Sequence, residues 1–176
     1  MPKPDILIRL ISPRDPIPEI TGLLHRAYAK QVAMGLQPLA GRQDDATTQR
    51  RVKSGECYLA VQRTPKPANN KIVGTILFHE VEDAKGPPWF QNPFVDSFSQ
   101  FAVDPDLQGY GIGQLLLDKA ESRAFECGST ELGLSMAEPD TALMNFYLKR
   151  GYRLIETWQW PYTNYRSAIL SKALKP

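Results

Sequence analysis

The chain has 176 residues, 15 of them proline, and 21 Lys and Arg against 19 Asp and Glu, a net charge of +2. Charges of both signs are interleaved without a run of five alike, which removes the usual signature of a nucleic-acid or membrane-surface binder. No stretch approaches the ~18 apolar residues of a spanning helix, and Met1 to Leu10 lacks a leader's apolar core; a single soluble, cytoplasmic domain over 1–176 with an ordinary core is expected.

Ile6 to Ile11 is aliphatic and extended, and Ser12-Pro13-Arg14-Asp15-Pro16 turns the chain. A helix then runs to about Met34, with Pro18 in its tolerant first turn and Ile20, Leu23, Leu24, Ala27, Tyr28 and Val32 on one face. Asp44 or Asp45 caps a second, more polar helix ending at Gly55. Cys57 to Gln62 and Ile72 to Val81 read as a hairpin around the turn-rich Thr64 to Asn70. Asp83 to Pro93 is a Pro-rich loop bearing Trp89 and Phe90, and Val95 to Val103 is the next strand. A helix over Tyr110 to Cys127 presents Ile112, Leu115, Leu116, the Lys119 stem, Ala120 and Ala124, with Gly128 as its stop. Glu131 to Met136 is a short buried strand, Asp140 to Arg150 a helix closed by Gly151, and Tyr152 to Trp160 and Tyr165 to Ser171 are the last strands. The two cysteines, Cys57 and Cys127, stand 70 positions apart with no CxxC, beside only two histidines, His25 and His79. Zinc wants three or four such ligands in local pairs, so no metal is expected, and both cysteines read as small core residues.

Chemistry concentrates after Val103. A buried strand ends at Asp104-Pro105, Gly109, Gly111 and Gly113 follow at alternate positions, and an amphipathic helix begins among them. The first turn of a helix leaves about four N–H groups unpaired and carries a partial positive charge. Glycines lacking Cβ atoms let a bulky anion approach those groups closely. The segment is therefore a cradle for an anion such as a pyrophosphate. No Lys follows Gly113, which excludes a P-loop. The sixth position counted from Gly109 is Gln114 and from Gly111 is Leu116, which excludes the dinucleotide fingerprint and disfavours a nucleotide-binding oxidoreductase.

Gln108, Gly111 and Gly113 instead spell Gln/Arg-x-x-Gly-x-Gly/Ala behind an apolar strand. Downstream, Phe146-Tyr147-Leu148-Lys149-Arg150-Gly151-Tyr152 sets a Phe-Tyr pair on a helix that ends in Gly and an aromatic. In these features the chain resembles the GNAT superfamily of acetyl-CoA-dependent N-acetyltransferases, over about Ile72 to Trp160. The resemblance implies an acyl-CoA N-acyltransferase fold of the α/β (α+β) class: a mixed, mostly antiparallel sheet of about seven strands with about four helices on its two faces. It implies acetyl-CoA as co-substrate, with Gln108, Gly109, Tyr110, Gly111, Ile112 and Gly113 at its diphosphate. Its pantetheine arm would add like a strand beside the main chain of Phe101, Ala102 and Val103. Tyr147 falls where the family places a tyrosine near the thioester sulfur. Two positions depart from the family pattern. Asp140 stands where an Asn often touches the cofactor, which makes Asp140 a cap and Asn145 the substitute. Asp96 to Phe101 holds no carboxylate where several relatives carry a basic Glu.

An alkyl ammonium of pKa ~10 costs roughly 4 kcal/mol to deprotonate near neutral pH. Asp96, Glu80 and Glu82 are the candidates to take that proton through one or two waters. A backbone N–H near Val103 would polarise the carbonyl and Tyr147 would protonate the leaving thiolate. Tyr28, Met34, Trp89 and Phe90, with Trp158 or Trp160, are candidate walls for the acceptor. The weak net charge favours a primary amine of a small molecule over a basic peptide as acceptor, with a peptide N-terminus or lysine as the other amine in view. No nucleic acid or membrane partner is expected, and a homodimer is allowed. The alternative reading is a catalytically silent domain that binds or senses acyl-CoA.

Overall fold

The computed structural model describes residues 2–80 and 86–175. The chain runs β1 (Ile6–Leu10), α1 (Ile17–Ala33), α2 (Asp45–Val52), β2 (Glu56–Gln62), β3 (Lys71–His79), β4 (Val95–Val103), α3 (Ile112–Glu126), β5 (Glu131–Ala137), α4 (Thr141–Leu148), β6 (Arg153–Trp158) and β7 (Ser167–Ala173), with short 3₁₀ turns between. All seven strands form one sheet in the order β1-β2-β3-β4-β5-β7-β6. Every neighbouring pair is antiparallel except β4 and β5. The parallel pair is bridged by α3, as a parallel connection requires. This is the expected mixed sheet with four helices.

Each face of the sheet carries its own core. On one side α3 sets Ile112, Leu116, Leu117, Ala120 and Ala124 on Tyr58, Val73, Ile76, Phe78, Phe98 and Leu132. On the other, Ile20, Leu23 and Leu24 of α1 and Val52 of α2 cover Cys57, Leu59, Val61, Leu77 and Ala102. Stripe positions at three-and-four spacing produce both contacts, with three corrections. Leu115 is exposed and Leu117 buried, because the α3 stripe follows Ile112, Leu116 and Ala120 and leaves Leu115 on the outer flank. Val32 is exposed at the end of α1, where Gln31 turns inward instead. Cys57 is buried as expected, whereas Cys127 caps the end of α3 and is exposed.

Caps explain the helix starts. Asp44 Oδ1 accepts from Thr47 N at 2.8 Å, and Asp140 Oδ1 accepts from Leu143 N at 3.1 Å, each satisfying an otherwise unpaired first-turn amide. Pro18 lies in the first turn of α1. The α3 helix starts at Ile112, two residues later than the glycine-rich run suggests, because Gly111 sits at φ 80° as its N-cap. Val81, the expected end of β3, lies outside the described residues.

Candidate active site

A cleft opens where β4 and β5 part. The two strands pair only over Val95–Phe98 and Glu131–Leu134. Beyond that point β4 stays with β3, and Ser135, Met136 and Ala137 stay with β7. The cause of the parting lies in β4, where the register against β3 shifts between Thr75 and Leu77 and Gln100 takes φ 48°. A bulge of this kind bends its strand and frees its main chain. The cleft encloses about 980 Å³ and is lined by Phe101, Ala102 and Val103 on one side and Ser135, Met136 and Ala137 on the other. Asp104 N donates to Val73 O on β3 at 2.8 Å, so by strand alternation Val103, one residue earlier, turns its N–H away from β3 and into the gap.

The gap leads to the glycine-rich cradle. Leu107 N donates to Asp104 O, and the next amide of this run to find a backbone carbonyl is Leu115 N, on Gly111 O. The amides from Gln108 to Gln114 between them find no partner among the described residues. Gly109 and Gly111 hold φ 89° and 80°, and a Cβ at either would enter open space. That open space is where an anion can close on the amides. Gln108, Gly109, Gly111, Ile112 and Gly113 line the cleft. Tyr110 does not line it, its ring packing on the α3-side core, so its contribution is confined to its main chain.

Polar groups hold the bulge from behind. Gln43 Nε2 donates to Gln100 Oε1 and to Thr48 Oγ1, both at 2.8 Å. Arg51 Nη1 donates to Gln43 Oε1 at 2.8 Å, and the hydroxyls of Thr21 and Thr48 are 2.8 Å apart. Gln100, Gln43, Thr48 and Thr21 are all buried. Tyr28 Oη adds a tether from α1, donating to Phe101 O at 3.2 Å. That carbonyl is therefore engaged within the chain.

The floor is aromatic. Tyr147 packs with Phe98, Phe101, Phe146 and Tyr152 at ring-centre distances of 5.3–6.4 Å and lines the cleft. Burial pushes its phenol well above the ordinary tyrosine value, with Tyr28 and Tyr152 adding to the effect. Tyr147 is thus held protonated, a donor and not a base. Arg150 lies 3.5 Å from the centre of the Phe146 ring and its Nε donates to Gln114 Oε1 at 2.8 Å, locking α4 to the start of α3.

The other sequence candidates divide. Tyr28, Phe90 and Trp160 line the cleft. Met34 is exposed beyond the end of α1 and forms no wall. Trp89 and Trp158 pack together with Phe90, Val95 and Ile169 in a separate small core. Asn145 is exposed outside the cleft, so the substitution for Asp140 does not hold geometrically. Asp140 lines the cleft but both its oxygens are engaged, one by Leu143 N and the other by Gln31 Nε2 at 3.0 Å.

The base candidates are corrected too. Asp96 shares the α3-side face with Phe98, two residues on, and Glu80 Oε1 accepts from Cys127 Sγ at 3.8 Å. Both bear on the Cys127 thiol, which burial chiefly raises, at the end of α3 opposite the cradle. Neither lines the cleft. Glu82 lies outside the described residues.

Sequence reasoning missed Arg51, His79, Ser97, Ser99, Tyr162 and Tyr165, all of which line the cleft. Tyr162 and Tyr165 sit on the β6–β7 loop, where Trp160 stacks on Tyr162 at 5.6 Å and donates its indole N–H to Ser135 Oγ at 2.9 Å. The loop is strapped to the α1–α2 connection: Gln37 N donates to Asn164 Oδ1 at 2.7 Å and Asn164 Nδ2 to Gly35 O at 2.9 Å. Among the described residues no group of three His, Cys, Asp or Glu converges on a metal position, and no helix is long and apolar enough to cross a membrane.

Residues 23–152 match the family described as acetyltransferase (GNAT) family. Among solved structures, the chain is similar to a GNAT family acetyltransferase from Elizabethkingia anophelis with acetyl-CoA bound, at 21% identity and TM-score 0.64, over 96% of this chain and 98% of that one. It is similar to a GNAT family acetyltransferase from Staphylococcus aureus at 17% identity and TM-score 0.71, over 97% and 100%. The ribosomal-protein-S18-alanine N-acetyltransferase from Escherichia coli aligns at 17% identity and TM-score 0.69, over 98% and 96%.

Proposed function

The chain belongs to the acetyltransferase (GNAT) family, and from that premise we propose that it moves acetyl from acetyl-CoA to a primary amine of a small molecule, by direct attack in a ternary complex. The observation that carries this reading is the continuity of the β4–β5 gap with the run of amides from Gln108 to Gln114 that find no partner among the described residues. The gap offers an amide-rich arm a strand to lie against, and the cradle offers its diphosphate unpaired N–H groups at a helix start.

Acetyl-CoA supplies an activated acyl group, and each remaining task falls to the protein. The Val103 N–H turned into the gap polarises the acetyl oxygen. Tyr147, neutral at all working pH, donates to the sulfur as it leaves. Gln108, Gly109, Gly111 and Gly113 hold the diphosphate through the main chain. The β6–β7 strap across the cleft, built on Asn164, limits the room for a polypeptide acceptor and favours a small one. Tyr28, Phe90, Trp160, Tyr162 and Tyr165 give that acceptor apolar walls. Both cysteines are free thiols, in keeping with a reducing cytoplasmic setting.

The second reading, an acyl-CoA sensor without turnover, is favoured by the cleft's lack of a disengaged carboxylate among the described residues. Release of free thiol from acetyl-CoA across a panel of amines separates the two. We expect release with at least one primary amine. Calorimetric binding of CoA with no release for any amine would establish the sensor, and no binding of CoA would remove both readings.

A further inference from the structure

The reaction needs a proton acceptor, and the cleft's single described carboxylate is consumed by its cap and by Gln31. One side chain lining the cleft is of the type whose charge changes near neutrality in its free form: His79, at the end of β3. Its Nε2 lies 3.0 Å from Ser99 Oγ on β4, which also lines the cleft. Ser99 immediately precedes Gln100, the bulge residue at which β4 leaves β5. The ring is seated over Gly55, where a Cβ would stand 3.0 Å from its Nδ1 and 2.3 Å from Phe78 O. A bare backbone at the α2–β2 turn is what leaves room for the imidazole. It thus stands beside the strand positions where the sequence lacks a carboxylate.

We propose that His79 accepts the proton of the acceptor ammonium through the Ser99 hydroxyl, an inference that rests on the N-acetyltransferase reading of the cleft. The ammonium N–H passes its proton to Ser99 Oγ as the Ser99 O–H passes its own to His79 Nε2, giving a free amine and an imidazolium. The amine lone pair then forms the N–C bond, the C–S bond breaks with its electron pair on sulfur, which takes the Tyr147 phenol proton, and the second nitrogen proton restores the phenol. The imidazolium returns its proton to water. The charged groups lining the cleft are Lys30 of α1, Arg51 of α2, and Asp140 and Arg150 just before and just after α4. Just past the end of β3, Glu80 is turned to Cys127, and β4 presents Ser97, Ser99 and Gln100 as its neutral polar groups at the cleft, its Asp96 lying outside the lining.

The test compares wild type, His79→Gln and Ser99→Ala with acetyl-CoA and the panel amine of highest turnover, following kcat/KM against pH and CoA affinity by calorimetry. We expect both variants to bind CoA as wild type does. His79→Gln should lose about 10²-fold in kcat/KM near neutral pH, with the deficit narrowing as pH rises toward the amine's own pKa of ~10, where the substrate sheds its proton unaided. Ser99→Ala should show the same pH-dependent deficit. A deficit that stays constant with pH, or none, overturns the role of His79 while leaving the acetyltransferase reading intact. A wild-type protein that acetylates no amine overturns the reading of the cleft and the inference with it.

Discussion

The side-chain amide of Gln43 donates to Gln100 Oε1 at 2.8 Å, clamping a residue whose φ of 48° places it in the left-handed region. Non-glycine residues in that region carry a cost of order 1–3 kcal/mol and persist where their surroundings hold them. Here the surroundings are a chain of buried amides and hydroxyls, so the shape of the strand beside the cleft depends on a side chain 57 positions away.

Removing the clamp should reshape the slot. Gln43→Leu leaves Gln100 Oε1 and Thr48 buried with fewer partners, at about 1–3 kcal/mol. Urea unfolding should show that loss, and KM for acetyl-CoA should rise. Gln100→Gly, which relieves the dihedral, should be more stable than Gln100→Ala, which keeps the strain and loses the bond; the reverse order would show that the bulge does not depend on this residue.

Tyr147 is read as the donor to the departing sulfur. Tyr147→Phe keeps the ring contacts with Phe98, Phe146 and Tyr152 and removes only the hydroxyl. We expect kcat to fall at least tenfold, on the order of a lost general acid, with CoA affinity unchanged by calorimetry. Equal turnover in the two proteins would take the phenol out of the mechanism.

The cradle is tested at Gly111. Alanine there must hold φ 80°, a strain of about 1–2 kcal/mol, and its methyl projects into the open space assigned to the diphosphate. Gly111→Ala should weaken CoA binding by more than tenfold, about 1.4 kcal/mol, while the protein remains folded by circular dichroism. Unchanged affinity would move the diphosphate elsewhere.

Acid sensitivity should trace in part to the turn before α1. Asp15 accepts from Arg9 at 2.7 and 2.8 Å and from Ser12 N at 2.7 Å. The Arg9 hydrogen bonds are the main reason its carboxyl lies below the usual range, against an opposing push from burial. The folded pKa is the lower one, so the stabilisation is complete above the unfolded value of ~4 and is lost as pH falls through the folded value. The stability difference between wild type and Asp15→Asn should therefore be constant near neutrality and shrink below about pH 4. A difference independent of pH would mean that the contact acts through shape alone.

The cradle and the order of elements were legible in the sequence because both are written in local chemistry: glycines at alternate positions, caps at Asp44 and Asp140, stops at Gly128 and Gly151. Leu115 and Leu117 were not separable, since each fits a helical stripe and only the sheet beneath decides which flank is covered. The acceptor side was less legible still. His79 and Ser99 are 20 residues apart and meet only because β3 and β4 pair in one particular register. Asp96 reads in sequence as a carboxylate able to take the proton through water, but it pairs with Leu132 in the stretch where β4 and β5 are still joined, short of the point where the cleft opens. The Gln43–Gln100 contact left no local signal, because a glutamine in a connecting segment is ordinarily solvated.

The place of β7 between β5 and β6 makes the seventh strand in chain order an interior one. Until Ser167–Ala173 emerges, β5 lacks its antiparallel partner, and the Ser135–Ala137 wall of the slot has no backing. Assembly of the slot must then wait for this seventh strand. Newly made protein trimmed before Ser167 would expose raw strand edges instead of an open slot, making it a target for self-association rather than a weakened enzyme.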